Sequence, residues 1–522
     1  MSIRYHIFFS FSIRNIVQNK QNGLVQNTEF NQNAHRWIDI AYKSMIICTW
    51  PLGHFYFAKK GGRNMYKRYI GDRAFYRRVF AIALPMIIQN GITNFVNLLD
   101  NIMVGQLGAT AMSGVSVVNQ FIFIFNLFLY GANSGAGIFA AQFHGSGDHK
   151  GVRYAMRFKL LCGLLLTIVG GIVFALVPDQ LIALFLQGEA TPEQIAQTMT
   201  HGLSYVKVAV WGLLPFALSS TYSTTLRECG QAKIPMYAGI AAVLTNLSLN
   251  YVLIFGHFGA PAMGVRGAAL ATLISRFVEL GIVAGYTHLT AQSFAKGLYR
   301  SIRIPGSLLK KIIIKGMPLL LNEGLWSLGI TTLNQCYSTC GFNVVTATNI
   351  ASTVSNLAGV VTMAMGNTLG ILMGQLMGAG TDAEDIRDQN RKLLTLNVGL
   401  GVVFGGLLIA ISGLFPRFYK TSEEIRHLAT ALICIIGAVR PFITYMYGSY
   451  YTLRSGGKTF ITFLYDAGCL WALTVPTAFI LSRYTNISIL PLYMICQIPD
   501  MLKCILGAVL LKKGKWVQNL TK

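Results

Sequence analysis

Five side chains stand out for chemistry in a sequence otherwise dominated by apolar residues. Asp100 lies in FVNLLDNIMVG (95–105), at the end of a long apolar run. Asn246 and Asn250 are four apart in AAVLTNLSLNYVLIFG and so share one helix face. Thr272 falls in the next apolar segment, and Glu323 in MPLLLNEGLW (317–326). A charged Asp at the centre of a membrane helix costs roughly 2.5–3.5 kcal/mol, so Asp100 must face a cavity, be paired, or reach water at a helix end. The asparagines read either as cation ligands or as amides bridging helices by hydrogen bonds. Glu323 lies just beyond Lys315, deeper from the basic end. A glutamate buried there can exchange a proton near neutral pH, which an exposed one cannot.

Other polar groups are open to plainer readings. Arg440, beside Pro441 in AVRPFITYMYG, either binds carbonyls freed by the proline or pairs with Glu323. Tyr445, its neighbouring tyrosines and Trp326 fit a cavity for organic cations, and fit core packing or an interfacial belt equally. Arg276 with Glu279, and Asp500 with Lys503, are spaced three apart and read as ion pairs within one helix. Asp466 reads as structural. Cys336 and Cys340 have no His or acid spaced to complete a metal set and read as small core residues.

The elements that must position these groups are membrane helices. Of 522 residues, 53% are hydrophobic and 12% charged, against roughly 25% charged in a soluble domain. Apolar segments of about 20 residues recur from Val79 to Leu511, long enough to cross a bilayer and too long for the strands of an outer-membrane barrel. The net charge of +24 suggests a nucleic-acid binder until its distribution is read. Lys and Arg concentrate in alternate loops, at 144–159, 226–233, 297–315, 453–458 and 512–516, whereas 105–114, 178–194 and 340–348 are poor in them. The positive-inside rule then predicts both ends of the bundle in the cytoplasm, with 416–427 a mixed exception.

The chain repeats itself. The stretch LPMIIQNGITNFVNLLDNIMVG (84–105) aligns with MPLLLNEGLWSLGITTLNQCYS (317–338) at an offset of 233, ungapped for about sixty residues. PFALSSTYSTTLRECG (215–230) resembles PFITYMYGSYYTLRSGG (441–457). Spans are expected near 79–104, 115–141, 156–178, 203–225, 236–256 and 265–287, then 312–337, 347–373, 393–415, 428–451, 460–482 and 487–511. Six spans per repeat predict an all-α membrane protein of twelve transmembrane helices. Its two lobes would be related by a pseudo-two-fold along the membrane normal, with a substrate site between them. The expected organisation is an N-terminal lobe at 65–290, a linker at 291–311, a C-terminal lobe at 312–511 and a basic cytoplasmic tail at 512–522. Residues 1–64 are rich in Asn and Gln and read as a disordered extension or as a mis-assigned start. KKGGRNM (59–65) can be encoded by a bacterial ribosome-binding sequence, which would place the native start at Met65.

The segment LPMIIQN…LLDNIMVGQLGATAMSGVSVVNQ, with GVRGAALATLISR at 264–276 and LRSGGK at 453–458, resembles the MATE (multidrug and toxic compound extrusion) family from about Phe75 to the C-terminus. The resemblance implies a two-lobed antiporter expelling cationic, amphipathic compounds in exchange for Na+ or H+. It implies that Asp100 binds the coupling cation, joined by Asn246, Asn250 and Thr272, which would be the ligands if that ion is Na+. Glu323 matches the acid of the seventh helix. Some relatives carry a second acid at the position of Asn250, and others an acid on the tenth helix that is missing here.

The expectation is therefore a monomeric transporter in the inner membrane of a bacterium, in contact with lipid and cationic drugs. It would bind no nucleic acid and need no cofactor beyond the coupling ion. A flippase for lipid-linked precursors is the nearest rival, but it would need cavity cations, for which only Arg440 and Lys207 offer themselves. A channel would need a filter segment, and an enzyme a nucleophile with its base or a metal set; neither pattern is found.

Overall fold

The computed structural model describes residues 68–183, 191–485 and 487–521. The extension 1–64 and its proposed start at Met65 lie outside the described residues. Twelve long helices account for nearly all the rest, and the described residues contain no strand. The N-terminal lobe comprises α1 Arg73–Gly105, α2 Ala109–Gly145, α3 His149–Leu176, α4 Pro192–Glu228, α5 Lys233–Phe255 and α6 Val265–Leu289. The C-terminal lobe comprises α7 Gly306–Ser338, α8 Phe342–Gly378, α9 Ala383–Ile411, α10 Glu423–Ser455, α11 Thr459–Tyr484 and α12 Ile489–Lys512. Eleven of them are long and apolar enough to cross a membrane, and α7, carrying Lys310, Lys311, Lys315 and Glu323, is the exception. Leu165, Ile168, Ile172 and Leu176 stand exposed along α3, as a helix face against lipid requires.

The repeat is kept residue for residue where the sequence aligns. Helix α1 and its partner α7 begin and end 233 residues apart, as do α2 and α8. Both connections rest on a glycine that only glycine fits. Gly108 at φ 113° and Gly341 at φ 123° turn the chain between the paired helices. Side chains fix the helix starts. The Asp72 carboxylate accepts from the Phe75 amide at 2.7 Å, and Thr191 and Gln194 form a reciprocal capping box ahead of α4.

The two lobes are joined at one end and separate at the other. Phe75, Val79 and Ala83 of α1 pack into a core otherwise made by α8 to α12 and the segment after α12, including Met373, Leu393 and Tyr451. By the matching exchange, Leu308 and Ile312 of α7 pack among Phe139, Met156, Leu226 and Val283 of the first lobe. This joined end carries the basic loops. At the opposite end each lobe keeps its own core, around Val115, Val118 and Ile254 in one and Ala347, Val354 and Ile433 in the other. Phe123 and Phe128 of α2 and Leu357 of α8 are correspondingly exposed there. The bundle is a V, closed at its basic end.

Small residues make that closure possible. A Cβ on Gly145 would overlap the backbone of Gln375, and one on Gly378 would overlap the backbone of Gln142. The two glutamines are repeat partners and bond across the seam in mirrored fashion. Gln142 Nε2 donates to the Ser455 carbonyl at 3.0 Å, and Gln375 Nε2 donates to the Glu228 carbonyl at 2.7 Å.

Candidate functional site

Helix α1 brings Asp100 to its last two turns. The carboxylate there meets the negative end of the helix dipole and needs donors from elsewhere. Helix α5 supplies them. Asn250 Nδ2 donates to Asp100 Oδ1 at 2.6 Å. The Asn246 amide is assigned from its partners. With its nitrogen toward the carboxylate, it donates to Oδ1 at 2.9 Å and Oδ2 at 3.0 Å, and its oxygen accepts from the Thr272 hydroxyl of α6 at 3.2 Å. Asn246 and Asn250 are 6% and 1% exposed, and Asn250 Oδ1 has no partner. Asp100, Asn246, Asn250 and Thr272, singled out on three separate helices, thus form one hydrogen-bonded cluster.

The cluster lines a cavity of about 630 Å³ inside the first lobe, walled by α1, α2, α4, α5 and α6. Its charged lining residues are Asp100, Arg276 and Glu279. Arg276 is held by Glu279 at 3.3 Å and lies over the Phe216 ring at 4.5 Å. The three together carry one net negative charge. Asn119, Asn126, Gln120 and Tyr205 add neutral polar edges to apolar walls.

Glu323 is not part of this cluster. It lies half-buried on α7 beside Asn322, within electrostatic range of Arg454 and Asp466. Asn322 is the firm point of that region, donating to Asp466 Oδ2 at 3.0 Å and accepting from the Ala467 amide at 3.2 Å. Here α11 leaves the α-helical ladder for π turns at Leu464–Gly468 and Leu470–Thr474. The Asn322 oxygen takes up an amide that this irregularity frees. Lys503 completes the network, 2.9 Å from Asp500 and 3.7 Å from Asp466. The two ion pairs expected within α6 and α12 are both present.

Among the described residues Arg440 forms no ion pair with Glu323. It is 4% exposed, and its Nη2 donates to the Thr362 hydroxyl at 3.1 Å behind the wall formed by α8, α9 and α10. The Thr444 hydroxyl of the same helix donates to the Pro441 carbonyl at 2.9 Å. Tyr445 packs against the C-terminal core, and neither it nor Trp326 lines the large cavity. Cys340 lies in the turn beyond α7 and so does not share a helix with Cys336.

Several residues assigned to basic loops are buried. Lys159 is wholly buried on α3, with Nζ 2.6 and 2.8 Å from the two Glu228 oxygens. Arg157 ties the inter-lobe linker to α3, donating to the carbonyls of Gly297, Leu298 and Arg303. Arg454 is 7% exposed in the last turn of α10, within 5.3 Å of the Tyr451 ring and 5.9 Å of the Tyr130 ring across the seam. The repeat alignment holds the one signal for it, since Arg454 matches Arg227, itself bound to Gln89 Oε1 at 2.6 Å.

The MatE family model matches residues 85–252 and again 318–480, one match per repeat. A probable multidrug resistance protein NorM of Thermotoga maritima is 27% identical over 445 residues, 84% of this chain and 93% of its own. The probable multidrug resistance protein YoeA of Bacillus subtilis is 24% identical, covering 80% of this chain and 89% of its own. Among solved structures, an outward-facing multidrug resistance MATE family transporter superposes with a TM-score of 0.75 at 18% identity, covering 87% of this chain and 98% of its own. A MOP superfamily transporter of Pyrococcus furiosus gives 0.73 at 19%, covering 87% and 98%. At such identities the structures speak for the fold alone. The doubled family match spans most of both lobes, and the chain belongs to the MatE family.

Proposed function

We propose that this chain is a secondary active multidrug exporter of a bacterial inner membrane, with its basic end in the cytoplasm. It would exchange cationic, amphipathic compounds for Na+ or H+ by rocking its two lobes. The names of the curated relatives support multidrug efflux. The observation that carries the ion-coupled reading is the Asp100 cluster. A carboxylate is held by two amides at 2.6–3.0 Å beside a buried amide oxygen, Asn250 Oδ1, that lacks a donor. A cation seated there would take the carboxylate, that oxygen and the oxygens of Asn246 and Thr272, the Asn246 amide rotating to present its oxygen. A proton on Asp100 would instead remove the charge and release one of the donated hydrogen bonds.

Either event changes the cavity's net charge from negative to neutral, which weakens its hold on a cationic substrate. The same carboxylate would then serve substrate and ion in turn. In a one-for-one exchange of like charges the membrane potential cancels, and each tenfold gradient of the coupling ion supplies about 1.4 kcal/mol, worth a tenfold substrate ratio. Export driven this way is feasible. Glu323, near Arg454 at the seam, is the second group proposed to exchange a proton. The flippase reading is disfavoured by the cavity's cations. Arg440 is walled off, Lys207 is exposed away from the cavity, and Arg276 is spent on Glu279.

The test is ethidium efflux from everted vesicles or proteoliposomes, with Na+ and pH gradients imposed separately on the wild type, Asp100→Asn and Glu323→Gln. Na+-driven efflux lost in Asp100→Asn assigns the ion to the first lobe. Proton-driven efflux lost only in Glu323→Gln moves coupling to the second. Absence of ethidium transport under either gradient overturns the proposal.

A further inference from the structure

The C-terminal segment is no loose basic tail. After α12 ends at Lys512 the chain turns at Gly514 and lies along the joined end of the lobes. Trp516 is 2% exposed within the C-terminal core, its Nε1 donating to the Leu511 carbonyl at 3.2 Å. A Cβ on Gly456, just past α10, would overlap the Trp516 carbonyl. Trp516 therefore fixes the segment to its own lobe. Beyond it, the segment grips the other lobe. The Gln518 carbonyl accepts from Gln142 Nε2 at 3.1 Å, and the Leu520 amide donates to Gln142 Oε1 at 2.7 Å. The Leu520 side chain packs on the N-lobe core around Phe139, Leu298 and Leu308.

We infer that residues 513–521 are a latch on the cytoplasmic gate: they clamp Gln142 and hold the lobes closed at the basic end, biasing the transporter toward its outward-open form. Gln142 is fully buried, and its amide is saturated by Ser455, Gln518 and Leu520 together. Parting the lobes breaks all of these bonds and exposes Leu520 at once. Among the described residues, the repeat partner Gln375 gives its amide nitrogen to the Glu228 carbonyl alone. The pseudo-symmetric joint has been given one asymmetric fastening, and the C-terminus supplies it. With two hydrogen bonds and a partly buried leucine as its grip, removing the latch should enlarge the inward-open population by about tenfold.

The inference rests on the rocking of the lobes, so its test reads conformation and not transport. Spin labels at Lys150→Cys and Asp385→Cys, exposed at the starts of α3 and α9, would report distance across the basic end. The nine native cysteines would be replaced beforehand. Truncation after Lys513 is expected to raise the long-distance population about tenfold. Leu520→Asp keeps Trp516 in place and should do the same where the truncated chain does not fold. Because the latch acts through Gln142, Gln142→Leu combined with truncation should open the gate no further than the stronger single change. Gly378→Val, which forces α2 and α8 apart, is the control for opening. Unchanged distances in both latch variants while Gly378→Val opens the gate overturn the latch. Unchanged distances in every variant overturn the rocking motion itself, and the latch with it.

Discussion

Removing the Lys159 ammonium tests how the first lobe holds its buried charge. Lys159 is 0% and the Glu228 side chain 10% exposed, and the ammonium spans both carboxylate oxygens at 2.6 and 2.8 Å. At these separations and an effective dielectric of about 20, the attraction is about 6 kcal/mol before desolvation. Thr224 and Thr225 lie at 3.3 and 3.4 Å from Nζ and add little. Lys159→Met leaves Glu228 buried without its closest partner, a change that typically costs about 3–5 kcal/mol. Arg227 and Arg454 lie within electrostatic range of Glu228, so the loss should fall at the lower end, near 3 kcal/mol. Removing both charges with Lys159→Met and Glu228→Gln should recover most of it, because no uncompensated ion is then left inside. Denaturant unfolding of the purified protein in detergent, followed by tryptophan fluorescence, measures both variants. A single substitution costing under about 1 kcal/mol, or a double variant as unstable as the single, would refute the reasoning.

Three further outcomes are expected. Asn250→Leu removes both the 2.6 Å donor to Asp100 and the unpartnered oxygen, and on the Na+ branch of the proposal should weaken Na+ binding by about tenfold or more, measured with radioactive sodium on purified protein. Gly378→Val places atoms where the Gln142 backbone lies, and should abolish ethidium export while the protein still elutes as a folded monomer in gel filtration. Gly341→Ala forces a side chain into φ 123° between α7 and α8 and should cost about 1–3 kcal/mol, read from the unfolding midpoint, although open space surrounds the position.

The helices were legible because bilayer and repeat act on the same residues. Hydropathy marked α1 from 79, whereas the helix starts at Arg73, since the Asp72 cap carries it beyond the apolar stretch. The Asp100 cluster was half legible. The four-residue spacing of Asn246 and Asn250 fixes a shared face, but only the packing of α5 on α1 shows that this face meets the carboxylate. Arg454, Lys159 and Trp516 escaped for one reason. Each was counted among basic loop residues, yet its burial depends on partners far along the chain, such as Tyr130 and Glu228, or on docking of the segment after α12. Charge counting treats a lysine as solvated until a partner is known. The sequence leaves Arg440 open between backbone carbonyls and Glu323, and only the packing of α8 on α10 shows its Nη2 donating to the Thr362 hydroxyl.

What the two halves share and what they do not follows from the motion proposed for them. A joint lying on a pseudo-two-fold must close from both sides, so Gly145 and Gly378, and Gln142 and Gln375, are retained in register. Coupling has no such requirement, since one ionisable group that changes charge suffices to alter how a cation is held. The acids accordingly depart from the repeat. Asp100 aligns with Leu333, a core residue of the second lobe, and Glu323 with Asn90. Asn322 binds Asp466 where its partner Gln89 binds Arg227, so even the amides beside these positions have been turned to opposite charges. A duplicated bundle that kept its charges symmetric would bind ion and substrate identically in both lobes. In the mechanism proposed above, breaking that symmetry would let the first lobe offer a cation site in its cavity while the second carries its acid within range of Arg454, where a proton would act on the closure itself.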